Sequence, residues 1–398
     1  MIALEITLLC LFGVYALVSL LLLRGIFVPA TGKNDTSRRT WPRVSVLVAA
    51  RNEERYLAAC LQTLVQCDYP AEHLEILVID DRSTDRTREI AADFAHRHPR
   101  VRVVSLTQRL AGMSGKASAL CQGLAHATGE IILVTDADCL VPPTWVAALV
   151  RHFTPQTGLV GGFTLLSPFH TLRPAQAPDH CGSRVQTLDW MFLLAIGAGA
   201  AGWGRPLSIL GNNFGFRRQA YEQVGGYQAI GFTIIEDFAL MQRIVRTTAW
   251  RVRFPLDPAT AIYSFPPASW REFLHQRQRW AAGGKEMGLP AKTLMGMGFS
   301  VQLALVLAAV VSPALLAAGL LLKLGSDFAV LWRCASVLRA RPLLRSFLLF
   351  EGYFFLYSFV LAPTILLPAT VQWKDVRYRW NVRGQIKSVE EMPGAAPR

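Results

Sequence analysis

The chain has 398 residues, of which 52% are hydrophobic and only 17% are charged. A soluble globular domain usually has about 25% charged residues, so this composition excludes a disordered chain and favours a protein with membrane segments. The seven cysteines are scattered without a Cys-x-x-Cys pair, which excludes a small disulfide scaffold and predicts reduced thiols. The formal net charge of +13 suits either nucleic acid or an anionic membrane surface together with a phosphate-bearing substrate.

Residues 1–28 predict an N-terminal transmembrane helix. Residues 2–28 are nearly all apolar, with only Glu5 and Arg24 charged, and they exceed the roughly 20 residues that span a bilayer. A cleaved signal peptide is disfavoured, because the apolar run is too long and Glu5 stands where a basic segment would precede it. Residues 29–42 form a linker rich in Lys and Arg, which the positive-inside rule places in the cytoplasm.

Residues 43–290 have the pattern of an α/β domain. Short apolar runs predict strands at residues 44–48, 75–79, 100–106 and 130–134. Helical spacing predicts helices between them at residues 53–66, 85–96 and 115–127. This alternation predicts a mostly parallel, Rossmann-like sheet with right-handed crossovers. Ligands of such sheets bind at the carboxyl ends of the strands, where polar clusters stand in this sequence.

The chain becomes apolar again in residues 291–372. Two segments, residues 294–322 and 347–371, are long enough to span a bilayer, and Pro313 is predicted to kink the first. Between them, residues 328–338 predict an amphipathic helix lying at the membrane surface.

The basic tail, residues 373–398, is predicted to be cytoplasmic. Three membrane crossings satisfy the flanks of the chain and are the preferred arrangement. Two re-entrant hairpins broken at Pro313 and Pro363 are the alternative, because they keep every basic cluster on one side.

Two acidic residues follow the predicted strand at residues 130–134. Asp136 and Asp138 stand one residue apart, and two carboxylates at this spacing can share one hard cation, Mg²⁺ or Mn²⁺, with a diphosphate completing the coordination. An Asp-x-Asp pair also ends strands without binding a ligand, so metal binding is one of two interpretations.

Two other clusters favour a nucleotide. Asp80 and Asp81 both follow a predicted strand, and although a helix cap explains the Ser and Thr residues after them, it does not explain two acids there. A carboxylate at this place can accept the imide N–H of a uracil base. Lys116 opens a predicted helix, where a cation is unfavourable unless an anion such as a diphosphate binds at the same end.

The last two clusters each allow two interpretations. Glu236 and Asp237 precede an apolar helix, so they either cap it or supply a general base. Gln276 and Arg279 share a helix face, with Trp280 beside them. This cluster is either an ordinary basic helix lying on the membrane or an arginine clamp on phosphate oxygens with a tryptophan wall for an acceptor.

These clusters occur in an order that resembles membrane-associated family 2 glycosyltransferases over residues 43–284. The resemblance is carried by seven segments: VLVAARNEE from Val46, VIDDRSTDRT from Val78, SGKASAL from Ser114, TDADC from Thr135, GNNFGFRR from Gly211, IIED from Ile234 and QRQRW from Gln276. The C-terminal region ending in residues 373–378 also resembles lipid-modifying members. The family implies a GT-A fold and an inverting transfer from a nucleotide sugar.

The resemblance also implies roles for individual residues. On the donor side, Ala49, Arg51 and Glu53 border the nucleoside, Asp81 with Asp80 holds the uracil, Lys116 touches the diphosphate, Asp136 approaches the ribose or the metal, and Asp138 binds Mg²⁺ or Mn²⁺. On the acceptor side, Asp237 is the catalytic base, Gly211, Asn212 and Asn213 form the acceptor loop, and Glu236, Gln276, Arg279 and Trp280 lie around the diphosphate and the acceptor.

The expected function is transfer of one sugar, from a UDP-sugar, to a hydroxyl of a membrane lipid. Two C-terminal hydrophobic segments are too few for a polymer channel, which disfavours a processive polysaccharide synthase. A non-catalytic sugar-nucleotide-binding protein is the other alternative, disfavoured because Asp237 is present. Residues 191–201 are apolar but too short to span, so they form either a buried helix or a dip into the bilayer surface.

The expected location is a bacterial-type inner membrane with the catalytic domain in the cytoplasm. A channel is disfavoured by the large soluble-type central domain. No nucleic acid is expected as a partner, since the basic residues concentrate beside the membrane segments.

Overall fold

A computed structural model gives the structure of the protein. It describes residues 2–27, 41–166, 181–267, 269–284, 287–366, 370–373, 376–380 and 386–391. Most of the predicted basic linker therefore lies outside the described residues, as does much of the basic tail.

The described chain contains helices and strands in alternation, followed by long helices. The helices are α1 (Ile2–Phe27), α2 (Leu57–Leu64), α3 (Thr87–Arg97), α4 (Gly115–Leu124), α5 (Trp145–Arg151), α6 (Cys181–Gly202), α7 (Arg218–Gln223), α8 (Gly226–Ile230), α9 (Glu236–Thr247), α10 (Trp270–Gly284), α11 (Leu289–Val311), α12 (Pro313–Val337) and α13 (Phe347–Leu366). The strands are β1 (Val44–Ala50), β2 (Leu74–Asp80), β3 (Val101–Ser105), β4 (Ile131–Asp136), β5 (Thr157–Gly161), β6 (Thr164–Leu166), β7 (Asn213–Arg217), β8 (Arg251–Arg253), β9 (Ile262–Ser264), β10 (Thr370–Trp373), β11 (Val376–Trp380) and β12 (Ile386–Glu391).

A seven-stranded sheet forms the centre of the α/β region, in the order β3-β2-β1-β4-β7-β5-β8. Strand β7 runs antiparallel to both of its neighbours, and the other pairs are parallel. The predicted mostly parallel sheet is therefore confirmed. Two smaller sheets are present, β6 with β9 and β10-β11-β12.

Both faces of the sheet are buried. Leu47 of β1 packs into the core that includes α6, whereas Val46 and Val48 pack into the core that includes α2 and α5. Strands covered on both faces are apolar at successive positions, and this explains why β1, β2 and β4 were recognisable as continuous apolar runs.

The register of the central strands brings the predicted polar clusters together. Ala50 of β1 pairs with Asp80 of β2, and Ala49 pairs with Asp136 of β4. Since these strands are parallel, their carboxyl ends meet at one edge of the sheet. The candidate site lies there.

Helix α6 corrects the interpretation of residues 191–201 as a short segment. The helix is 22 residues long and begins at Cys181. Its most apolar 18-residue stretch is 78% buried inside the protein, and Leu188, Met191 and Ala195 are fully buried in the core. Its polar first half hid the start of the helix, and its burial favours the core interpretation over a dip into the bilayer.

Five helices of the described chain are long and apolar enough to cross a membrane. They are Ile2–Phe27, Gly182–Gly202, Leu289–Val311, Pro313–Val337 and Arg341–Val360. The sequence had indicated three such segments. The protein is therefore membrane-associated, with more candidate crossings than predicted.

The C-terminal helices also differ from the prediction at Pro313. Instead of kinking one helix, Pro313 is the first residue of α12, and the Ser312 side chain accepts a hydrogen bond from the backbone N–H of Leu315 as its cap. Proline is favoured at the first helical position, because its missing N–H is not needed there. The predicted surface helix at residues 328–338 is mostly the second half of α12.

A buried polar cluster joins three of these helices. The Tyr15 hydroxyl of α1 donates to Oδ1 of Asp327 at 2.7 Å, and Nζ of Lys323 donates to Oδ2 of Asp327 at 2.9 Å. The Lys323 ammonium also contacts Glu351 of α13. All four side chains are buried. Because ions rarely lie unpaired in an apolar bundle, the cluster orients α1, α12 and α13 relative to one another.

Loss of the shared cation should destabilise this bundle more than loss of the tyrosine hydroxyl. Lys323→Met leaves two buried carboxylates without a cation and should cost about 3–5 kcal/mol. Tyr15→Phe removes one hydrogen bond while Asp327 keeps its lysine, and should cost about 1 kcal/mol. Thermal unfolding in detergent measures both. Thr7→Val, at an exposed position of α1, is the matched control. A Lys323→Met protein as stable as the parent would show that the cluster does not hold the bundle.

Candidate active site

A cavity of about 330 Å³ opens at the carboxyl ends of β1, β2 and β4. Most of the residues that the motifs had singled out line it: Ala49, Arg51, Glu53, Asp81, Lys116, Asp136, Asp138, Gly211, Asn212, Glu236, Asp237, Gln276, Arg279 and Trp280. Residues as distant in sequence as Ala49 and Trp280 thus come together around one space. Asp80 and Asn213 are not among the lining residues.

Lys116, the second residue of α4, forms the electrostatic centre of the cavity. Its Nζ lies 2.6 Å from Oδ1 of Asp136 and 3.3 Å from Oε1 of Glu236, and it donates to the carbonyl oxygen of Gly211 at 3.0 Å. Burial lowers the pKa of Lys116, but the Asp136 and Glu236 carboxylates raise it further, so the net pKa is well above the ordinary value. The ammonium therefore stays charged and ready to meet an anion.

Asp237 lies in the first turn of α9, beside this ammonium. Burial, and then the Glu236 carboxylate, raise the pKa of Asp237 to about 7, although the charge of Lys116 opposes the rise. The side chain is 9% exposed and lines the cavity. A carboxylate whose pKa lies near neutrality can accept a proton effectively at physiological pH.

Gly211 lies against both groups, at a position where a side chain would crowd them. A Cβ at this position would lie 3.0 Å from Oδ2 of Asp237 and 3.2 Å from Nζ of Lys116. The glycine therefore lets the backbone carbonyl approach Lys116 closely.

The two acids at the end of β2 have different surroundings. Oδ1 of Asp80 accepts the backbone N–H of Ser83 at 3.2 Å, and the side chain is buried in the turn. Asp81 lines the cavity, where Nε of Arg82 donates to it at 2.9 Å and Nη1 of Arg51 lies 3.8 Å away. Side chains alternate in direction along an extended chain, so only Asp81 faces the cavity.

Asn213 has a structural environment, in contrast to the predicted place in an acceptor loop. Its Oδ1 accepts from the Trp145 indole at 3.0 Å, and its Nδ2 donates to the carbonyls of Phe163 and Thr260 at 2.8 and 3.0 Å. The residue is fully buried. Asn212 does line the cavity, while its Oδ1 accepts from Thr164 at 2.9 Å.

Helix α10 carries the QRQRW segment and closes one side of the cavity. Gln276, Arg279 and Trp280 line it, as their helical spacing had indicated. Trp190 of α6 faces them, with its ring centroid 5.2 Å from that of Trp280. Phe265 adds a further aromatic wall. The sequence did not identify Trp190, because nothing in the chain near it signals that α6 reaches the cavity.

The donor atoms at the end of β4 suit a hard divalent cation. Asp136 and Asp138 both line the cavity and present carboxylate oxygens, the ligands that Mg²⁺ and Mn²⁺ prefer. The described residues contain no group of three or more His, Cys, Asp or Glu side chains placed to hold a metal. These two carboxylates fit a metal whose other ligands come from a diphosphate and water.

Comparison with known proteins identifies the family. The family model described as Glycosyl transferase family 2 matches residues 45–225. The chain is 31% identical over 247 residues to a probable glycosyltransferase, YdaM, of Bacillus subtilis (strain 168), covering 61% of this chain and 56% of that protein. It is 32% identical over 265 residues to a beta-monoglucosyldiacylglycerol synthase of Synechocystis sp. (strain PCC 6803), covering 63% of this chain and 49% of that protein.

A solved structure shows the same fold. The mannosyltransferase PcManGT from Pyrobaculum calidifontis, in complex with GDP-Man and Mn²⁺, matches with a TM-score of 0.57 and 23% identity, covering 87% of this chain and 97% of that one. Residues 45–225 therefore match glycosyltransferase family 2, and the predictions of a GT-A fold and of a glycosyltransferase are confirmed. The chain spans about half the length of the curated relatives it matches.

Asn213 gives a direct test of structural against functional roles. Asn213→Ala should leave the Trp145 indole and two carbonyls without partners in a buried place, which lowers stability by at least about 2 kcal/mol. Asn212→Ala, the adjacent control, loses one side-chain bond at the cavity surface and should cost less. Thermal unfolding in detergent gives the comparison. An Asn213→Ala protein of unchanged stability would contradict this assignment.

Proposed function

We propose that the protein transfers one sugar, with inversion, from a UDP-sugar to a hydroxyl group of a membrane lipid. The observation that carries the proposal is the position of Asp237, a buried carboxylate whose pKa is about 7, beside the Lys116 ammonium in one cavity. A proton acceptor and a cation for a leaving diphosphate are the two groups that such a transfer needs.

The donor would bind along the ends of β1, β2 and β4. Asp81, in the cavity lining, has a carboxylate that can accept the imide N–H of uracil, and Ala49 allows the nucleoside close to β1. Lys116 and Arg279 would then face the diphosphate. Arginine and lysine are well suited to bind phosphate oxygens.

Asp136 and Asp138 would hold a Mg²⁺ or Mn²⁺ ion together with the donor diphosphate. When bound, the ion would neutralise negative charge on the diphosphate. The ion pair between Lys116 and Asp136 would open when the donor binds. The diphosphate would then replace the Asp136 carboxylate as the anionic partner of Lys116.

The chemistry is a single in-line displacement. Asp237 takes the proton of the acceptor hydroxyl, whose oxygen forms a bond to the anomeric carbon of the sugar. The bond between that carbon and the diphosphate oxygen breaks on the opposite side, and UDP leaves with the electron pair. The charge on the departing diphosphate is stabilised by Lys116 and Arg279, and loss of one such group typically reduces the rate by about 10²–10³.

The charges around the cavity favour an uncharged hydroxyl acceptor over a lipid phosphate. Among the described lining residues, three cations stand with six carboxylates: Arg51, Lys116 and Arg279 with Glu53, Asp81, Asp136, Asp138, Glu236 and Asp237. A second anion beside the donor diphosphate would meet mostly like charge. A phosphate acceptor also needs no base, whereas a hydroxyl does.

Diacylglycerol is the first acceptor to test. The Synechocystis relative is a beta-monoglucosyldiacylglycerol synthase, and the less buried apolar helices α1, α11, α12 and α13 would hold the cavity next to such a lipid. We further propose that the protein lies in a bacterial-type inner membrane with its α/β domain in the cytoplasm. Nucleotide sugars are made there, and the basic flanking segments favour this orientation.

A processive polysaccharide synthase is the second candidate. Five candidate membrane helices instead of three remove the argument that the chain has too few helices for a channel. Against it, α6 is mostly buried, by α1, α12 and α13 as well as by strand β6, so it contributes little free surface to a membrane path. The size of the product separates the two candidates.

Asp237→Asn should reduce transfer by about 10²–10⁴, because the base is lost while the shape is kept. Binding of UDP should stay nearly unchanged. Transfer of labelled glucose from UDP-glucose to diacylglycerol, and titration with UDP, measure the two effects. Asp257→Asn is the control, since this carboxylate pairs with His152 outside the cavity lining and should transfer normally. Undiminished transfer by Asp237→Asn would rule out this base.

The pH dependence should follow the state of Asp237. Its protonated form cannot accept a proton, so kcat/KM should rise with pH through about 7 and then level off. Glu236 raises the pKa of Asp237, so Glu236→Gln should shift this limb to lower pH even if the maximal rate falls. Initial rates across pH with the metal held saturating give both curves. If Glu236→Gln leaves the rise in kcat/KM at the same pH as in the parent protein, a group other than Asp237 causes it.

A further inference from the structure

A second charged pair lies behind the side of the cavity that α10 closes. Arg277 of α10 forms an ion pair with Asp189 of α6, and both side chains are fully buried. Neither residue belongs to the cavity lining. The pair therefore cannot be explained as part of the donor-binding charges described above.

Three helices meet at this pair. The Arg277 guanidinium lies 4.6 Å from the centroid of the Trp280 ring and 5.4 Å from that of Tyr357 on α13. The Tyr353 hydroxyl of α13 donates to Oδ2 of Asp189 at 3.5 Å. Two of these helices, α6 and α13, are candidate membrane helices, and α10 carries the residues that close the cavity.

The sequence neighbours of the two residues lie on this side of the cavity. Trp190 follows Asp189, Gln276 precedes Arg277, and both line the cavity. The rings of Trp190 and Trp280 are 5.2 Å apart at an interplanar angle of 54°. The distance between Asp189 and Arg277 thus determines how the two tryptophans face each other.

Stability alone does not account for the pair. Removing two ions from water costs several kcal/mol each, and replacing a buried ion pair with apolar residues of similar volume is often neutral or stabilising. Oδ1 of Asp189 has no hydrogen-bond partner among the described residues, which adds to this cost. What the pair provides is one fixed geometry between α6 and α10.

We propose that Asp189 and Arg277 are positioning residues that hold Trp190 and Trp280 as the binding wall for the acceptor lipid. This inference rests on the proposed function. The donor side depends mainly on β1, β2, β4 and α4, with Arg279 as its contact from α10, whereas the pair joins α10 to α6 and α13 behind the two tryptophans, so its loss should affect the acceptor more than the donor.

The test is the double variant Asp189→Leu with Arg277→Met, which replaces the ions by apolar side chains and should remain folded. With UDP-glucose and diacylglycerol in mixed micelles, the KM for diacylglycerol should rise about tenfold or more, since small displacements of a positioned substrate have large effects. The KM for UDP-glucose and the rate of its hydrolysis to UDP and glucose without lipid should stay within about twofold.

Two further variants guard against a purely structural effect. Arg277→Lys keeps the charge but loses the planar fork, so it should restore part of the acceptor affinity. Arg218→Met is the control, because Arg218 bonds the carbonyls of Gly129 and Ala127 away from α10, and it should lower stability without changing the KM for diacylglycerol.

The outcomes separate the two proposals. A folded double variant with an unchanged KM for diacylglycerol, or one whose donor KM rises equally, would overturn the positioning role while leaving the proposed function intact. A parent protein that neither transfers nor hydrolyses UDP-glucose, or any other UDP-sugar, would overturn the proposed function, and the positioning role with it.

Discussion

One largely buried ammonium links the elements that surround the candidate active site. Nζ of Lys116 contacts Asp136 at the end of β4, Glu236 at the start of α9 and the carbonyl of Gly211 before β7. The Asp136 and Glu236 carboxylates on either side of Lys116 would repel each other, and a lysine without an anionic partner here would be costly, so each requires the other. In the proposed function, the same ammonium would bind the donor diphosphate.

The chemistry follows from this arrangement. Asp237 is poised near neutrality because burial and Glu236 raise its pKa while Lys116 limits the rise. In the proposed arrangement the acceptor side would be held by a different ion pair, Arg277 with Asp189, between α10 and α6. One ionic contact would then serve the donor and a second would serve the two tryptophans that face the acceptor.

Much of this could be predicted from the sequence, because strands buried on both faces appear as apolar runs and their ends carry the polar residues. The features that the sequence did not reveal depend on contacts between residues that are distant in sequence. Asp80 and Asp81 look equivalent until the direction of each side chain is known, and Asn213 looks functional until its three buried partners appear. Asp189 interrupts an apolar run, so α6 appeared half its length, and only the structure shows that Arg277 compensates its charge.

The proposed function is the transfer of one sugar to a membrane lipid. The direct measurement is incubation of the detergent-purified protein with a panel of UDP-sugars, Mg²⁺ or Mn²⁺ and total membrane lipid, followed by mass spectrometry of the lipids. We expect one class of hydroxyl lipid to gain the mass of a single sugar. A ladder of repeating sugar masses, or a sugar carried on a lipid phosphate, would contradict it.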